Sequence, residues 1–296
     1  MSRPNFFIVG APKCGTTAMN NYLSQHPEIF MAPKEIHYFG EDLKIKVKIS
    51  ESEYLKNFQD TGNSKIIGDA SVWYLFSKTA AGEIKKFSPE AKILIMLRNP
   101  VEVIHSLHSQ HLYDGNEDVV DFEKAISLDD ERKRGLNLAD SVDFFETPTY
   151  KESVFFSEQV KRYLNEFTKK NVHLILYEDF KKDPKKEFTE TLKFLGVNAD
   201  STIEYKVVNP NRQIQSFYLH RLIKKPSGNL KRAARIFLPS RKFRHLIMTN
   251  LLKWNIKVKE RKKINARLDR ELKEYLSGDI NLLSKIIERD LSGWLQ

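Results

Sequence analysis

A loop bounded by glycines carries the first residues of the chain that could do chemistry. It reads Gly10-Ala11-Pro12-Lys13-Cys14-Gly15-Thr16-Thr17 and lies between an apolar run and a helical pattern. Backbone N–H groups and the N-terminus of a helix bind phosphate well at such a junction. The two glycines have the spacing of a Walker A loop, but Thr16 stands where that loop carries its lysine, and the lysine is at position 13.

The position of the lysine indicates which nucleotide the loop could bind. A nucleoside triphosphatase needs the later lysine and Mg²⁺ to neutralise its β- and γ-phosphates. Lys13 and the hydroxyls of Thr16 and Thr17 suit a 5′ end with less charge, such as one phosphate joined to a singly charged sulfuryl group. We therefore expect a nucleotide of this kind, bound without a metal ion.

A second candidate group follows the apolar run Ile93–Leu97. Arg98 comes directly after this run, at the carboxyl end of a strand, where open α/β sheets bind ligands. A guanidinium group at this point can bind a phosphate bidentately. Asn99 and Pro100 are a typical N-cap and first residue of a helix. Ser106 would lie two turns into that helix and could add a hydroxyl.

A third group could supply the proton acceptor of a transfer reaction. The segment Lys34-Glu35-Ile36-His37-Tyr38-Phe39 contains a carboxylate and an imidazole two residues apart. In an extended segment Glu35 and His37 share one face. A base and a cation are the minimum for deprotonating an acceptor and stabilising a leaving group, so this segment is a candidate for the base.

These motifs resemble those of sulfotransferases that use 3′-phosphoadenosine 5′-phosphosulfate (PAPS). Residues 12–17 are similar to the family's 5′-phosphosulfate loop, and Arg98 with Ser106 is similar to its second signature, an Arg followed eight residues later by Ser. Residues 34–39 resemble a segment of heparan sulfate 3-O-sulfotransferases whose Glu is the catalytic base. The resemblance continues through Tyr177-Glu178-Asp179-Phe180, Phe194-Leu195-Gly196 and Arg289–Leu295.

The resemblance implies a PAPS-dependent sulfotransferase that releases adenosine 3′,5′-bisphosphate and needs no metal. It implies that Lys13, Glu35 and His37 are catalytic, with Glu35 as the base and His37 as its helper or as a contact to the acceptor. The residues it assigns to the nucleotide are Pro12, Lys13, Cys14, Gly15, Thr16, Thr17, Arg98 and Ser106.

Two departures from the heparan sulfate enzymes bear on the acceptor. Gly40 stands where they carry an acidic residue, and Ala70 stands where they carry a substrate-site lysine. We therefore expect another carbohydrate or a glycolipid, with a small metabolite or lipid as the alternative, and either a hydroxyl or an amine as the sulfated group. A nucleotide kinase is disfavoured by Thr16, and a nucleic-acid-binding module would leave the loop, Arg98 and Glu35 unexplained.

The elements that must position these residues alternate between strands and helices as far as residue 200. This alternation predicts a P-loop-type α/β fold with a parallel sheet flanked by helices. Strands are predicted at Phe6–Val9, Lys65–Gly68, Ile93–Leu97 and Val172–Tyr177. We expect a single sulfotransferase domain over 1–296, made of an α/β core (1–204) with the PAPS site and a basic helical region without strands (205–296).

Composition and charge narrow the choice of partners. The chain has 296 residues, of which 41% are hydrophobic and 30% charged, which excludes a disordered or collagen-like protein. The net charge is +10, and residues 206–273 contain 20 Lys and Arg against three acidic residues. This asymmetry indicates an anionic partner, for instance peripheral contact with an anionic membrane or another polyanion. No aromatic-basic interleaving of the RNA-binding type is present, so nucleic acid is not expected.

Cysteine and histidine usage adds two expectations. Cys14 is the only cysteine, so no intramolecular disulfide can form, and we expect a cytoplasmic location. The apolar run before Gly10 is too short for a signal peptide or a membrane span. Three histidines recur at intervals of three residues without any Cys or acidic motif beside them, so no metal site is expected. These are His105, His108 and His111.

Overall fold

A computed structural model describes most of the chain. The described residues are 2–33, 35–43, 48–138, 149–199, 203–205, 212–224, 228, 232, 236, 240–258, 261 and 263–296. Lys34 of the candidate base segment lies outside them. The first unit combines Met1–Ile104, Lys151–Val208 and Ala266–Gln296, and the second combines His105–Tyr150 and Asn209–Asn265.

The first unit is built on a five-stranded parallel sheet, whose strands are β1 (Phe6–Gly10), β2 (Ile29–Met31), β3 (Ile66–Ala70), β4 (Lys92–Leu97) and β5 (Val172–Leu176). The strand order is β2-β3-β1-β4-β5. All five residues of the central strand β1 are buried, and β4 is buried from Ile93 onward. Ile8 pairs with Ala70 on one side and Leu94 on the other, so the carboxyl ends of β1, β3 and β4 meet at one edge.

Helices flank this sheet and connect its strands. Helix α9 (Pro184–Leu195) shows how local sequence sets their ends. The Asp183 side chain caps it by accepting the Lys186 N–H at 3.0 Å, and Gly196 ends it in the left-handed conformation. Besides α9, the helices that lie wholly in the first unit are α1 (Thr16–Leu23), α2 (Glu51–Leu55), α3 (Ala80–Phe87), α7 (Phe156–Glu166), α8 (Tyr177–Lys182) and α12 (Ala266–Ile287).

The second unit is mainly helical and has a buried ion pair. Arg132 donates to both carboxylate oxygens of Glu117, at 2.6 and 2.8 Å, and Tyr150 donates to the same carboxylate at 2.8 Å. This bonding offsets the desolvation of both charges. Helix α4 (Pro100–Asp114) begins in the first unit and continues here. The other helices are α5 (Phe122–Ser127), α6 (Asp129–Lys133), α10 (Phe217–Lys224) and α11 (Arg241–Trp254).

The predicted α/β fold is confirmed, and so are the four predicted strands. The expectation of no strands after residue 205 is wrong. Strands β6 (Arg212–Ile214) and β7 (Ile256–Val258) form an antiparallel pair in the second unit. Each has three residues, too few to show an alternating pattern, and backbone pairing between distant segments formed them instead.

Candidate active site

The loop after β1 leads directly into the N-terminus of helix α1. Helix α1 begins at Thr16, directly after Gly15, whose φ of 92° is left-handed. A Cβ atom on Gly15 would lie 3.2 Å from the rings of Tyr177 and Phe180, so glycine is needed here for close packing as well. The N–H of Ala11 donates to the Met96 carbonyl at 2.7 Å and ties the loop to β4. No acidic residue lies in the first turn of α1, which leaves its N-terminal dipole available to an anion.

Cys14 lies buried on the inner side of this loop. Its Sγ–H donates to the Pro12 carbonyl at 3.4 Å. Burial raises the pKa of the Cys14 thiol well above its ordinary range, although the Arg98 and Lys13 cations oppose the shift. The thiol is therefore neutral, and Cys14 acts in the structure as a small buried residue rather than as a nucleophile.

The end of β4 brings Arg98 to the loop. One guanidinium nitrogen donates to the Lys13 carbonyl at 3.4 Å, and Nε donates to Glu102 at 2.8 Å. The guanidinium also lies over the Tyr177 ring, 4.4 Å from its centroid. Since the Glu102 side chain is 54% exposed, this ion pair is solvent-screened and could be exchanged for a phosphate at little cost.

Glu35 and His37 form a close pair in the segment after Lys34. His37 Nε2 and Glu35 Oε2 are 3.1 Å apart, and the Glu35 side chain is 29% exposed. His37 has a φ of 52°, which is rare outside glycine and shows that the local backbone is held by its surroundings. The pair therefore combines a carboxylate open to solvent with a fixed imidazole neighbour.

A network around Asp69 holds this segment in place. The Ser71 hydroxyl accepts the N–H groups of Ile36 and His37, each at 3.1 Å, and donates to Asp69 at 2.8 Å. The Tyr74 hydroxyl likewise accepts the Tyr38 N–H at 2.9 Å and donates to Asp69 at 2.9 Å.

Asp69 is the fully buried centre of that network. Tyr54 donates a third hydrogen bond to its carboxyl, at 2.9 Å. Burial raises the pKa of Asp69, and the three hydroxyl donors oppose the rise. The residue spacing does not predict this group. Its signal in the sequence is an aspartate near the end of β3, Asp69, followed by two hydroxyl side chains, Ser71 and Tyr74.

The turn at residues 71–75, which contains Ser71 and Tyr74, links the base segment to the loop after β1. A Cβ atom on Gly10 would lie 2.6 Å from Leu75 Cβ and 2.8 Å from the Val72 carbonyl. The Leu75 N–H donates to the Val9 carbonyl at 2.8 Å. Residues 71–75 thus pack against the start of the loop while Ser71 and Tyr74 hold residues 36–38. The structure therefore anchors the predicted base segment on the turn that supports the predicted phosphate loop.

Ser106 lies in the second unit, buried on α4, and its partner was not expected from the sequence. The Arg261 guanidinium donates to the Ser106 hydroxyl at 3.2 Å. These residues are 155 positions apart in the chain, so no local pattern could join them. The role of Ser106 beside Arg98 stays a prediction, as do the individual roles of the other site residues.

Neither a metal-binding cluster nor a membrane-spanning helix is found among the described residues. No group of three His, Cys, Asp or Glu side chains in the described part of the chain is arranged to hold a metal ion. His108, one of the spaced histidines, instead bonds through Nε2 to the Val119 carbonyl at 2.8 Å. No helix within the described ranges is long and apolar enough to cross a membrane.

Comparisons with known proteins agree with this geometry. A family model described as "Sulfotransferase domain" matches residues 3–235. Carbohydrate sulfotransferase 15 of Rattus norvegicus is 31% identical over 170 residues, which cover 42% of this chain and 30% of that protein. Heparan sulfate glucosamine 3-O-sulfotransferase 6 of Homo sapiens is 28% identical over 109 residues, which cover 37% of this chain and 31% of that protein. The match thus spans well under half the length of these curated relatives.

One solved structure resembles the whole chain. A sulfotransferase from Alicyclobacillus acidocaldarius covers 100% of this chain and is itself covered to 100%, with a TM-score of 0.74 and 27% sequence identity. The likeness therefore extends over the full length of both chains.

Proposed function

The chain belongs to the sulfotransferase domain family, and on that premise we propose that it transfers the sulfuryl group of PAPS to a carbohydrate or glycolipid acceptor. The observation that carries the proposal is the juxtaposition at the carboxyl edge of the sheet. There Arg98 contacts the Lys13 carbonyl at 3.4 Å, and the turn that packs on the loop also holds the Glu35 segment. The relatives named above act on carbohydrates according to their names, which supports this class of acceptor.

The residues of the loop fit the donor. The start of α1, the Lys13 cation and the hydroxyls of Thr16 and Thr17 offer N–H, cationic and hydroxyl partners to a 5′-phosphosulfate. When bound, PAPS supplies a sulfuryl group on a phosphate leaving group. Lys13 neutralises the negative charge that this phosphate gains as the S–O bond breaks. Arg98 distinguishes PAPS from other sulfated nucleotides by binding the 3′-phosphate.

Glu35 acts on the acceptor side. It accepts the proton of the acceptor hydroxyl, whose oxygen then forms the new bond to sulfur. His37, 3.1 Å away, holds the carboxylate or contacts the acceptor. The Asp69 network keeps both side chains in position by fixing the backbone N–H groups of residues 36–38.

Ligand binding tests the donor assignment directly. Calorimetric titration in excess chelator should show that adenosine 3′,5′-bisphosphate binds without a divalent metal and more tightly than ATP. Tight binding of ATP that requires Mg²⁺ would instead support a nucleotide kinase. An acceptor screen with radiolabelled PAPS, covering acidic and neutral oligosaccharides, glycolipids and phenols, then separates a carbohydrate acceptor from a small metabolite.

The proposed contact between Arg98 and the 3′-phosphate can be tested by substitution, with a second arginine of the chain as the control. Arg98→Ala should weaken adenosine 3′,5′-bisphosphate binding by about 10- to 150-fold, since a hydrogen bond to a charged group contributes about 1.5 to 3 kcal/mol. It should leave adenosine 5′-phosphosulfate, which lacks that phosphate, nearly unaffected. Arg3 is the control, because it too pairs with a Glu side chain and lies 4.4 Å over an aromatic ring. Equal losses of affinity for both nucleotides would mean that Arg98 supports the fold and does not bind the 3′-phosphate.

A further inference from the structure

Helix α11 of the second unit has no buried residue along its 14 positions. It is nonetheless well defined at its start, where the Ser240 hydroxyl accepts the Phe243 N–H at 3.3 Å. Packing of an apolar face usually stabilises a helix of this length. Ten of the 14 positions are exposed and the other four are only half-buried, so this helix lacks a fully buried face and suggests a partner outside the chain.

Three large apolar side chains make a stripe on this helix. Phe243, Leu246 and Trp254 are 52%, 53% and 72% exposed. At 3.6 residues per turn, positions 243, 246 and 254 fall within one narrow arc of the helix. We call these three residues the apolar stripe. Exposed side chains of this size, grouped on one face, mark an interaction surface.

Basic residues flank the apolar stripe. Lys242 and Lys253 precede Phe243 and Trp254 by one position, and both are exposed on the helix surface. Arg241 and Arg244 add charge to the first turn, while α11 contains no acidic residue. After Lys206, the first acidic residue of the sequence is Glu260. The surface around the stripe is therefore cationic and lacks local counter-charges from its own segment.

The apolar stripe and the positive charge around it together favour one kind of binding partner. A second copy of the chain would cover the stripe but bring like charges together, which is unfavourable. A soluble polyanion would satisfy the lysines but leave Phe243, Leu246 and Trp254 in water. The interface of an anionic membrane accommodates both, because lipid phosphates attract the cations while the acyl boundary takes up the apolar side chains.

We propose that α11 docks on an anionic membrane surface, lying in its plane with the apolar stripe inserted. Fourteen residues extend about 21 Å as a helix, which is less than the roughly 30 Å of a bilayer core, so the helix would lie on the membrane and not cross it. Trp254, near the carboxyl end of α11, suits the interface because its ring is large and its N–H is polar.

Vesicle flotation with the full chain tests the proposal. The protein should bind vesicles of phosphatidylcholine with about one third phosphatidylglycerol, bind pure phosphatidylcholine weakly, and dissociate as salt is raised. The triple variant Phe243→Ser/Leu246→Ser/Trp254→Ser should bind the anionic vesicles at least about 10-fold more weakly. Because all three side chains are exposed, the fold should survive, which circular dichroism and the melting temperature can check.

Matched variants separate the stripe and its charges from general effects. Lys242→Glu/Lys253→Glu should lower binding strongly, whereas Lys170→Glu/Lys182→Glu, with the same net charge, should not. Tyr275→Ser/Leu282→Ser removes exposed apolar side chains of the first unit and should also bind like the wild type. Equal losses in these controls, or undiminished binding of the triple variant, would overturn the proposal.

Fluorescence quenching by brominated lipid locates the contact. Emission should be quenched in the wild type, and Trp254→Phe should still bind but lose most of the quenching. Persistent quenching in that variant would assign the lipid contact to Trp73 or Trp294 and contradict the proposal. Two further outcomes would also overturn it: a dimer in solution that the triple variant dissociates, or loss of dextran sulfate binding in the triple variant as large as its loss of vesicle binding.

Discussion

Glu35 and His37 are close enough that either side chain could accept a proton from the acceptor. Only 3.1 Å separates Oε2 of Glu35 from Nε2 of His37. Substituting each in turn decides which member receives the proton, because only one of the two changes removes the base.

Glu35→Gln should leave PAPS binding intact and slow transfer by about 10² to 10⁴, the usual contribution of a positioned base. The amide keeps the shape of the side chain but cannot accept the proton. Binding is followed by calorimetry and transfer by radiolabelled product. Near-full turnover in Glu35→Gln, together with loss of activity in His37→Ala, would move the base to His37.

Lys13 should behave differently from Glu35, because it lies on the donor side. Lys13→Met should lower both PAPS affinity and turnover, since the cation meets the donor in the ground state and the growing charge in the transition state. The comparison of Kd with single-turnover rates checks this. Reduced affinity with an unchanged rate would mean that Lys13 only binds.

Ser71 acts through the backbone, and its removal should separate positioning from binding. Ser71→Ala leaves the N–H groups of Ile36 and His37 without their acceptor, each a cost of about 1 to 3 kcal/mol where water cannot replace it. We expect a lower kcat with unchanged affinity for adenosine 3′,5′-bisphosphate.

The control for Ser71 is Thr191→Val. The Thr191 hydroxyl is also buried, but it bonds within α9 to the Glu187 carbonyl at 2.7 Å. This change should lower the melting temperature and leave kcat unchanged. A similar fall of kcat in both variants would mean that Ser71 acts through stability alone.

The site residues differ in how well the sequence alone predicts them. Lys13, Arg98 and Glu35 belong to motifs of neighbouring residues, so the sequence is enough to predict them as site residues. Asp69 and Ser71 matter through bonds to a segment more than thirty positions away, and Arg261 meets Ser106 across 155 positions. Such contacts depend on the folded path of the chain, which residue spacing does not encode.

At the scale of elements, the junction of β1 with its loop depends on Gly10. A side chain there would meet Leu75 Cβ at 2.6 Å and the Val72 carbonyl at 2.8 Å, and the φ of 156° lies in the region that favours glycine. Gly10→Ala should therefore destabilise the protein by about 1 to 3 kcal/mol through overpacking, in addition to backbone strain. It should also weaken adenosine 3′,5′-bisphosphate binding because the displaced turn supports the loop.

Gly196 provides the control for this prediction. It too is left-handed, with a φ of 77°, but nothing lies within 4 Å of the added Cβ. Gly196→Ala should show strain alone, about 1 to 2 kcal/mol, with normal ligand binding. Denaturant unfolding and calorimetry measure both quantities. Equal destabilisation and equal affinity in the two variants would contradict the steric argument.

The predictability of the elements follows from their length and environment. The buried strands β1 and β4 are continuous apolar runs, and α9 has Asp-Pro at its start and Gly at its end, so the sequence predicts all three elements. Strand β2 has only three residues, directly after a turn, and the sequence does not predict it. Its pairing with β3 over Ile29–Met31 depends on the neighbouring strand and not on its own pattern.

At the scale of the whole molecule, buried neutral histidines make stability depend on pH. Burial lowers the pKa of His108 from its ordinary 6.5, opposed by the Val119 hydrogen bond. In the unfolded chain this side chain takes up a proton as pH falls below 6.5, whereas in the folded chain it resists, so stability is lost as pH falls through that range. Burial acts in the same direction on His173 and His220.

The variant His108→Gln should reduce this dependence, because its amide can still donate to the Val119 carbonyl but does not titrate. Between about pH 7.5 and 5.5, the melting temperature of the wild type should fall more than that of the variant. Differential scanning calorimetry at both values checks it. Parallel pH profiles for the two proteins would mean that His108 takes up its proton equally in the folded and unfolded chains.

Because Cys14 is buried, chemical labelling of its thiol can measure how often the surrounding loop opens. Because this is the only cysteine of the chain and its thiol is neutral and buried, alkylating reagents can reach it only when the loop between β1 and α1 moves away. The labelling rate therefore measures how often the loop opens, without any engineered probe. If the loop binds the nucleotide, a bound nucleotide should slow that labelling in proportion to its occupancy, so one thiol reaction would yield both the opening equilibrium and the ligand affinity.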